Sequence, residues 1–528
     1  MSVNTDPLAK WVAELAEHAV QERAQKTRES SWDADWDFLV SSKQWSGSLP
    51  TYRYPIVVNV WRRDFHQLMA VLTGGRPVLK IVPQGMSNPA NMEVWQHALW
   101  SVIKTERIME RWGEAIAWGL IGDGGWLKVG YGSRDPNADQ PDVLVSCPHP
   151  SKILPDPDCT DPSLRECGYI LYEEEADLSV ISQRYPERGH EVMPDKESSW
   201  VGSGPTSQHT GSIASAASSP TGWSQKGGFQ RARAIIRELW IDDSTMEHYT
   251  EEVVTDIDLS TGQPTVKKVD RWKPKYPYGR VITCTKDVVL RDIPNPFGSA
   301  FGHNYRWPFV FVPMAEAPHR LWRPGLASDQ TELQRAINKM QSLMLENSIK
   351  CTNAIMIRDR DDSDDEDITL FPGCTITKDR GSEVKVVFPQ PLPAAALQFQ
   401  DQLIRRMSEC IGLADPPVSP GQAVAAKTVS FMQQKGHFLL GEMAKLAESS
   451  LEQLGQRIAG LQRSRYLPGR RIPMFSEERI QQPAEHAWPE LPDSLQVRVE
   501  ASSGWQEQIA ALMAQAAASD PRQGKPKR

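Results

Sequence analysis

Three helical patterns in the last third of the chain constrain its fold more than any other feature. Pro324 stands where a first helical turn accepts proline, and Leu326, Leu333, Ile337, Met340 and Met344 then share one stripe to about Lys350. Pro393 opens a second pattern through Leu397, Leu403, Met407 and Ile411, ending at Gly412. The third is the longest: from Ala423 to Leu461 it carries Met432, Leu439, Met443, Leu446, Leu454 and Ile458, and Pro468-Gly469 closes it. A helix apolar on one stripe must bury that stripe against another element. Between the first two lies a β-like segment, Ala354 to Phe388, and between the last two a loop with three prolines. Helices so linked can pack as antiparallel neighbours.

The first two thirds read as helices followed by strands. Leu8, Trp11, Val12, Leu15 and Ala19 predict a helix over residues 8 to 40. A second helix follows Pro55, with Val60, Trp61, Phe65, Leu68 and Leu72 in register and Gly74-Gly75 as its stop. Val78 to Val82 is a short strand bounded by prolines. Trp95, Leu99, Val102, Ile108, Trp112 and Ile116 predict one long helix from Met92 to Trp118, broken by Gly122 to Gly125. Strands are expected at 126–131, 143–145, 169–172, 234–241, 248–254, 266–272, 280–284 and 308–313. Residues 195 to 230 are rich in Ser, Gly, Thr and Ala and cannot bury enough apolar surface to offset the entropy of ordering. They read as a flexible surface insertion.

The totals narrow the function. At about 150 residues per domain, 528 residues allow roughly three or four domains. No apolar stretch approaches the ~20 residues that cross a bilayer, and Met1 to Lys10 has no signal-peptide pattern, so a cytoplasmic origin is expected. Seven scattered cysteines fit reduced, structural thiols better than a disulfide framework. Cys147 and His149 with Cys159 and Cys167 match no zinc spacing. The formal charge of −8 brings no long basic patch, so nucleic acid is either no partner or one that must not stick.

Candidate chemistry is thin. Gly421 to Thr428 is one residue away from a phosphate-cradling loop, but Ala426 replaces its second glycine and prolines replace its entering strand. Asp359 to Asp367 has seven carboxylates in nine residues but no glycine for a metal-binding turn, and reads as a solvated turn. Trp32, Trp36, Phe38 and Trp45, and Trp95, Trp100, Trp112, Trp118 and Trp126, follow amphipathic spacing and read as core or interface rather than as base-stacking platforms. No G-x-S-x-G element and no H-E-x-x-H helix occurs. The expectation is a protein that is not an enzyme and needs no cofactor or metal.

The order of elements carries a resemblance. Phe38 to Trp45 resembles the stretch ending in Gln-Trp that follows the first helix of many tailed-phage portal proteins, with Ser42-Lys43 where a glycine is usual. Asn59 to Pro83 is similar to the next signature, an Asn, a helix and a proline-bounded strand. Ala117-Trp118-Gly119 through Val129, Pro148 to Pro157, and Tyr276-Pro277-Tyr278-Gly279-Arg280 resemble three further signatures in the family's order. Gly325 followed by Gln334, Asn338 and Ser342 resembles a fourth. Ala423 to Ala426 only loosely resembles the family's entry to the late long helix. The likeness spans about residues 10 to 465.

That resemblance implies an α+β portal fold and a dodecameric ring with a central channel. Residues 1–320 would be a mixed α/β wing. Residues 324–350 and 393–412 would be stem helices, the first carrying Gln334, Asn338 and Ser342. Residues 351–392 would be a small α/β clip displaying Asp361, Asp364, Asp365, Lys378 and Arg380. Residues 413–422 would be a tunnel loop setting Asp415, Pro416, Pro417, Val418, Ser419 and Gln422 beside DNA. Residues 423–465 would be the long helix, and 466–528 a helical crown and tail. The implied partners are further copies of the chain, double-stranded DNA without sequence specificity, the terminase large subunit, major capsid or scaffolding protein, and a head-tail adaptor or tail protein, with no membrane. The implied place is the portal vertex of the virion. Another phage head or tail component, or a packaging ATPase or nuclease, stays open as an alternative.

Overall fold

The computed structural model describes residues 6–40, 44–45, 54–74, 77–84, 89–133, 140–199, 230–257, 264–301, 306–352, 355–357, 385–387, 393–412, 426–473, 485–489 and 496–502. Most of the Ser/Gly-rich stretch, 200–229, lies outside them.

The first helix, α1 (Pro7–Lys26), has Pro7 in its first turn and Asp6 as its cap, with the Asp6 carboxylate accepting from Leu8 N–H at 3.2 Å. Ala9, Val12, Ala16 and Ala19 form its buried stripe. The single helix expected over 8–40 is in fact two. Thr27 is extended, its hydroxyl donates to the Arg23 carbonyl at 2.9 Å, and Arg28 N–H turns to the Asp123 carboxylate at 2.8 Å. α2 (Glu29–Val40) then starts afresh.

α3 (Val60–Gly74), β1 (Val78–Gln84), α4 (Pro89–Thr105) and α5 (Ile108–Ile121) follow. The expected 92–118 helix is also split. Arg107 is left-handed at φ 51°, and buried Glu106 accepts from Val145 N–H at 3.1 Å. The apolar phase continues across the break, so periodicity does not reveal it.

The middle of the chain is strand-rich: β2 (Gly125–Gly132), β3 (Asp142–Ser146), β4 (Ile153–Pro155), β5 (Tyr169–Asp177), α6 (Leu178–Arg184), β6 (Lys196–Ser199), β7 (Gln230–Ile241), β8 (Met246–Ile257), β9 (Pro264–Pro274), β10 (Arg280–Cys284), β11 (Val289–Pro294), the short α7 (Gly298–Phe301) and β12 (Phe309–Val312). An antiparallel sheet runs β11-β10-β7-β5-β4, with β6 added to β7. Register aligns Leu154, Leu171, Leu239 and Ile282 in one row, and Ile170, Trp240 and Val281 in the next. Strand side chains alternate between faces. The first row packs under the α1 stripe. The second packs on Trp126, Phe309 and Phe311 of a three-stranded sheet, β12-β2-β3. Where these two rows cross, the strands are buried on both sides, and there the sequence is apolar at successive positions: Ile170-Leu171, Leu239-Trp240 and Val281-Ile282.

The last third comprises α8 (Ala327–Thr352), β13 (Ile355–Ile357), β14 (Lys385–Val387), α9 (Ala394–Cys410), α10 (Ala426–Arg465), β15 (Arg471–Pro473), β16 (Glu485–Ala487) and β17 (Gln496–Ser502). Pro324 is not in the first helical turn, as expected from sequence, but in the segment that leads to it. That segment is held to the end of α5, with Arg323 N–H donating to the Asp123 carbonyl (2.8 Å) and Leu326 N–H to the Leu120 carbonyl (2.7 Å). Gly325 sits so close that a Cβ there would lie 2.0 Å from the Gly122 carbonyl oxygen. Of the β-like segment, β13 and β14 pair antiparallel, and residues 358–384 lie outside the described residues.

With 40 residues, α10 is about 60 Å long at ~1.5 Å per residue. Its Leu451, Leu454 and Ile458 share one core with Leu68 of α3, Leu99 of α4 and Ile116 of α5. Trp112 Nε1 donates to the Ala447 carbonyl at 3.2 Å, and Gln462 Nε2 to the Ala98 carbonyl at 3.0 Å. Past α10 the chain returns to its first quarter. β17 pairs antiparallel with β1, and Trp488 packs on Trp95 with ring centroids 4.8 Å apart. Trp61, Trp95, Trp112 and Trp126 are fully buried, each contributing roughly 2 kcal/mol or more. Cys159, Cys167 and Cys284 are buried thiols.

Candidate functional site

Residues 54–59 run extended into α3 but belong to no strand. Buried backbone donors and acceptors need partners, and here side chains supply them. Ser342 Oγ donates to the Tyr54 carbonyl at 2.7 Å and accepts from Ile56 N–H at 3.3 Å. Asn338 Oδ1 accepts from Val58 N–H at 3.2 Å. Gln334 Nε2 donates to the Val58 carbonyl at 2.7 Å, and its Oε1 accepts from Trp61 N–H at 3.0 Å.

The fit follows from two periodicities. Four residues of α-helix advance about 6 Å, and two residues of extended chain about 6.6 Å. Positions 334, 338 and 342 on one face of α8 therefore follow alternate residues of a chain running the other way, with Gln334 and Asn338 bonded to Val58 and Ser342 to Ile56 and Tyr54. All three side chains are buried, so each hydrogen bond replaces one that water cannot provide.

Other parts of the chain close the same knot. Asn338 Nδ2 donates to Gln44 Oε1 at 2.7 Å, and Gln44 Nε2 donates to the Phe38 carbonyl at 2.8 Å. Trp45 Nε1 donates to the Ile56 carbonyl at 3.1 Å. Asn59 Oδ1 accepts from Arg62 N–H at 2.9 Å, capping α3, while its Nδ2 donates to the Leu39 carbonyl at 2.8 Å. In the second turn of α3, fully buried Asp64 accepts from Arg63 Nε at 2.7 Å and from Ser408 Oγ of α9 at 2.8 Å. Gln330 Nε2, near the start of α8, donates to the carbonyl of Met407, near the end of α9, at 3.4 Å. This is the antiparallel arrangement expected of the two helices.

A second polar knot fixes the entry to α8. The Asp123 carboxylate accepts from Arg28 N–H and from Trp32 Nε1, each at 2.8 Å. Burial raises its pKa above the ordinary carboxylate value, and those two hydrogen bonds oppose the rise.

The expected site residues separate accordingly. Gln334, Asn338 and Ser342 come together, joined by Gln44, Trp45 and Asn59 from two other signature stretches. Asp415, Pro416, Pro417, Val418, Ser419 and Gln422 lie outside the described residues, as do Asp361, Asp364, Asp365, Lys378 and Arg380. Sequence reasoning missed Asp64 and Ser408, which no local motif marks. The 280 Å³ cleft between α1 and the loop around Asp156 has Arg23 and Lys26 in its wall. Arg23 donates to the Ile153 carbonyl at 2.6 Å and Lys26 to the Pro157 carbonyl at 2.9 Å, so both anchor the neighbouring loop.

The amides and hydroxyls of this arrangement are committed to backbone groups and to one another, which makes it a mechanical clamp. Among the described residues no group of three or more His, Cys, Asp or Glu is placed to hold a metal ion. No helix among them is long and apolar enough to cross a membrane. Compared with known proteins, residues 17–472 match the model of one family, described as phage P22-like portal protein. No curated protein matches the chain significantly.

Proposed function

The chain belongs to the phage P22-like portal protein family, and we propose that twelve copies of it close into the ring at one capsid vertex through which the genome enters and leaves. In this reading α8 and α9 are stem helices wedged between neighbouring copies. The loop at 413–422 with Asp415, Pro416, Pro417, Val418, Ser419 and Gln422 lies beside DNA. The segment 351–392, with Asp361, Asp364, Asp365, Lys378 and Arg380, meets the terminase large subunit during packaging and an adaptor or tail protein afterwards. Major capsid or scaffolding protein surrounds the ring, which also nucleates head assembly.

The observation that carries the reading is the outer surface of the stem pair. Leu403 and Met407 of α9 and Ile337 of α8 are buried within the chain, yet Leu397 is 55%, Phe399 47% and Leu343 37% exposed. A helix pair that is apolar on both its inner and outer sides needs a further partner, and a neighbouring copy provides one. Charge agrees with a conduit: twelve chains of formal charge −8 carry −96, which disfavours tight phosphate binding and lets DNA slide. The reading assigns no catalytic residue and no cofactor.

Labelling of phage heads with an antibody against the chain tests it. Label at a single vertex of each head is expected. Label spread over the head, or along the tail, would place the chain among other head or tail components.

A further inference from the structure

The hairpin β8–β9 stands apart from the sheets around it. It leaves the wing at Ile241 and returns at Arg280, residues that are neighbours across β7 and β10. Its strands, 12 and 11 residues long, pair from Met246↔Pro274 to Ile257↔Pro264. At ~3.3 Å per residue it projects roughly 35 Å. Among the described residues neither strand pairs with a third. A lone two-stranded ribbon is marginal in water, and its open edges invite another chain.

Two features say what kind of chain. First, the strands differ in charge. β8 carries Glu247, Glu251, Glu252 and Asp256 and no Lys or Arg, whereas β9 carries Lys267, Lys268, Arg271 and Lys273 against the single carboxylate of Asp270. By sequence, one strand of the ribbon is acidic and the other basic. Such a ribbon is self-complementary head to tail, the relation that rotation about a ring axis creates between neighbouring copies. Second, the base of the ribbon displays apolar surface. Trp272 is 65% exposed and Met246 51%, and both lie on one face because Met246 and His248 stand opposite Pro274 and Trp272. His248 meets the Trp272 ring edge-on at 5.2 Å, so the indole is held in place while most of it stays open. Tryptophan of this kind anchors interfaces.

We infer that β8–β9 is a clasp between copies of this chain: the acidic β8 edge of one copy seats against the basic β9 edge of the next, with Trp272 as its anchor. In a closed ring every clasp is then filled and no ribbon edge is left for unrelated chains. The inference rests on the ring reading above.

The test uses the full chain in three forms: wild type, a β8 variant (Glu247→Lys, Glu251→Lys, Glu252→Lys) and a β9 variant (Lys267→Glu, Lys268→Glu, Lys273→Glu). Native mass spectrometry at low salt reads the ring population. Each variant alone presents like charges at both edges and is expected to form about tenfold fewer rings, the equivalent of two or three exposed ion pairs lost. An equal mixture of the two is expected to recover rings in which copies alternate. That recovery separates contact between copies from pairing within a hairpin such as Lys273–Glu247 (3.9 Å), and it shows that both variants fold. Variants that assemble alone as well as wild type, or a mixture that stays unassembled, would overturn the clasp. Variants that keep their rings but fail to enter heads would also overturn it, assigning the ribbon to another capsid component. If wild type itself forms no ring, the ring reading fails, not the clasp alone.

Discussion

Asn338 and Gln44 are 294 positions apart and share a buried hydrogen bond of 2.7 Å between their side-chain amides. That bond ties the stretch after α2 to the middle of α8, and the Asn338 oxygen carries the tie on to Val58 N–H. An Asn338→Ala variant leaves the buried Gln44 oxygen and the part-buried Val58 N–H without partners. It is expected to lose about 3 kcal/mol of unfolding free energy, read by urea denaturation of the unassembled chain. A loss below ~0.5 kcal/mol, the size of an ordinary surface effect, would show that water replaces the clamp.

Gly325 tests the entry to α8. A methyl group there meets the Gly122 carbonyl oxygen at 2.0 Å and the Ile121 carbonyl carbon at 2.8 Å. Both are backbone, so relief requires the α8 entry to move from α5. Gly325→Ala should cost about 3 kcal/mol and lower the melting temperature clearly. Gly441→Ala is the control, since a Cβ at this position on α10 meets nothing within 4 Å, and it should leave stability unchanged or slightly raised.

Ser408 and Asp64 join α9 to α3 through one hydrogen bond to a fully buried carboxylate. Ser408→Ala should cost about 2 kcal/mol, the range of a hydrogen bond to a charged group. With Asp64→Asn the two effects should be non-additive by about 1 kcal/mol in a double-mutant cycle. Strict additivity would mean that the helices are coupled by packing alone.

His149 gives a pH signature. Its ring contacts Trp118 edge-on at 4.4 Å, and burial lowers its pKa from the ordinary 6.5, with Asp33 opposing the fall. The fold therefore favours the neutral ring. Its stabilising effect is present above pH 6.5 and is lost as pH falls through the lowered folded-state value. His149→Gln should remove that slope from the variant's own stability curve, so the difference in unfolding free energy between wild type and variant should shrink as pH falls below 6.5. An unchanged slope would assign it to other groups.

Much of this architecture was legible from residue pattern. Apolar stripes marked α3, α8, α9 and α10, an alternating run marked β2, and short apolar runs marked β5, β7 and β10. The breaks at Thr27 and Arg107 were not, because the apolar phase runs through them and the contacts that hold them, Asp123 to Arg28 and Glu106 to Val145, come from distant parts of the chain. The pairing of β17 with β1 was hidden for the same reason. For the clamp, Gln334, Asn338 and Ser342 stood out only through the family resemblance, and nothing local identified the extended chain at 54–59 as their partner. Asp64 and Ser408 carried no signal, since a carboxylate beside an arginine on an amphipathic helix reads as solvated surface.

The ring is the central claim, and the mass of the assembled protein tests it most directly. Native mass spectrometry of the purified chain, with negative-stain electron microscopy of the same sample, is expected to show closed rings of twelve copies around a central hole. A chain that stays monomeric or forms small closed oligomers at every concentration, and that hydrolyses ATP or cuts DNA, would contradict it.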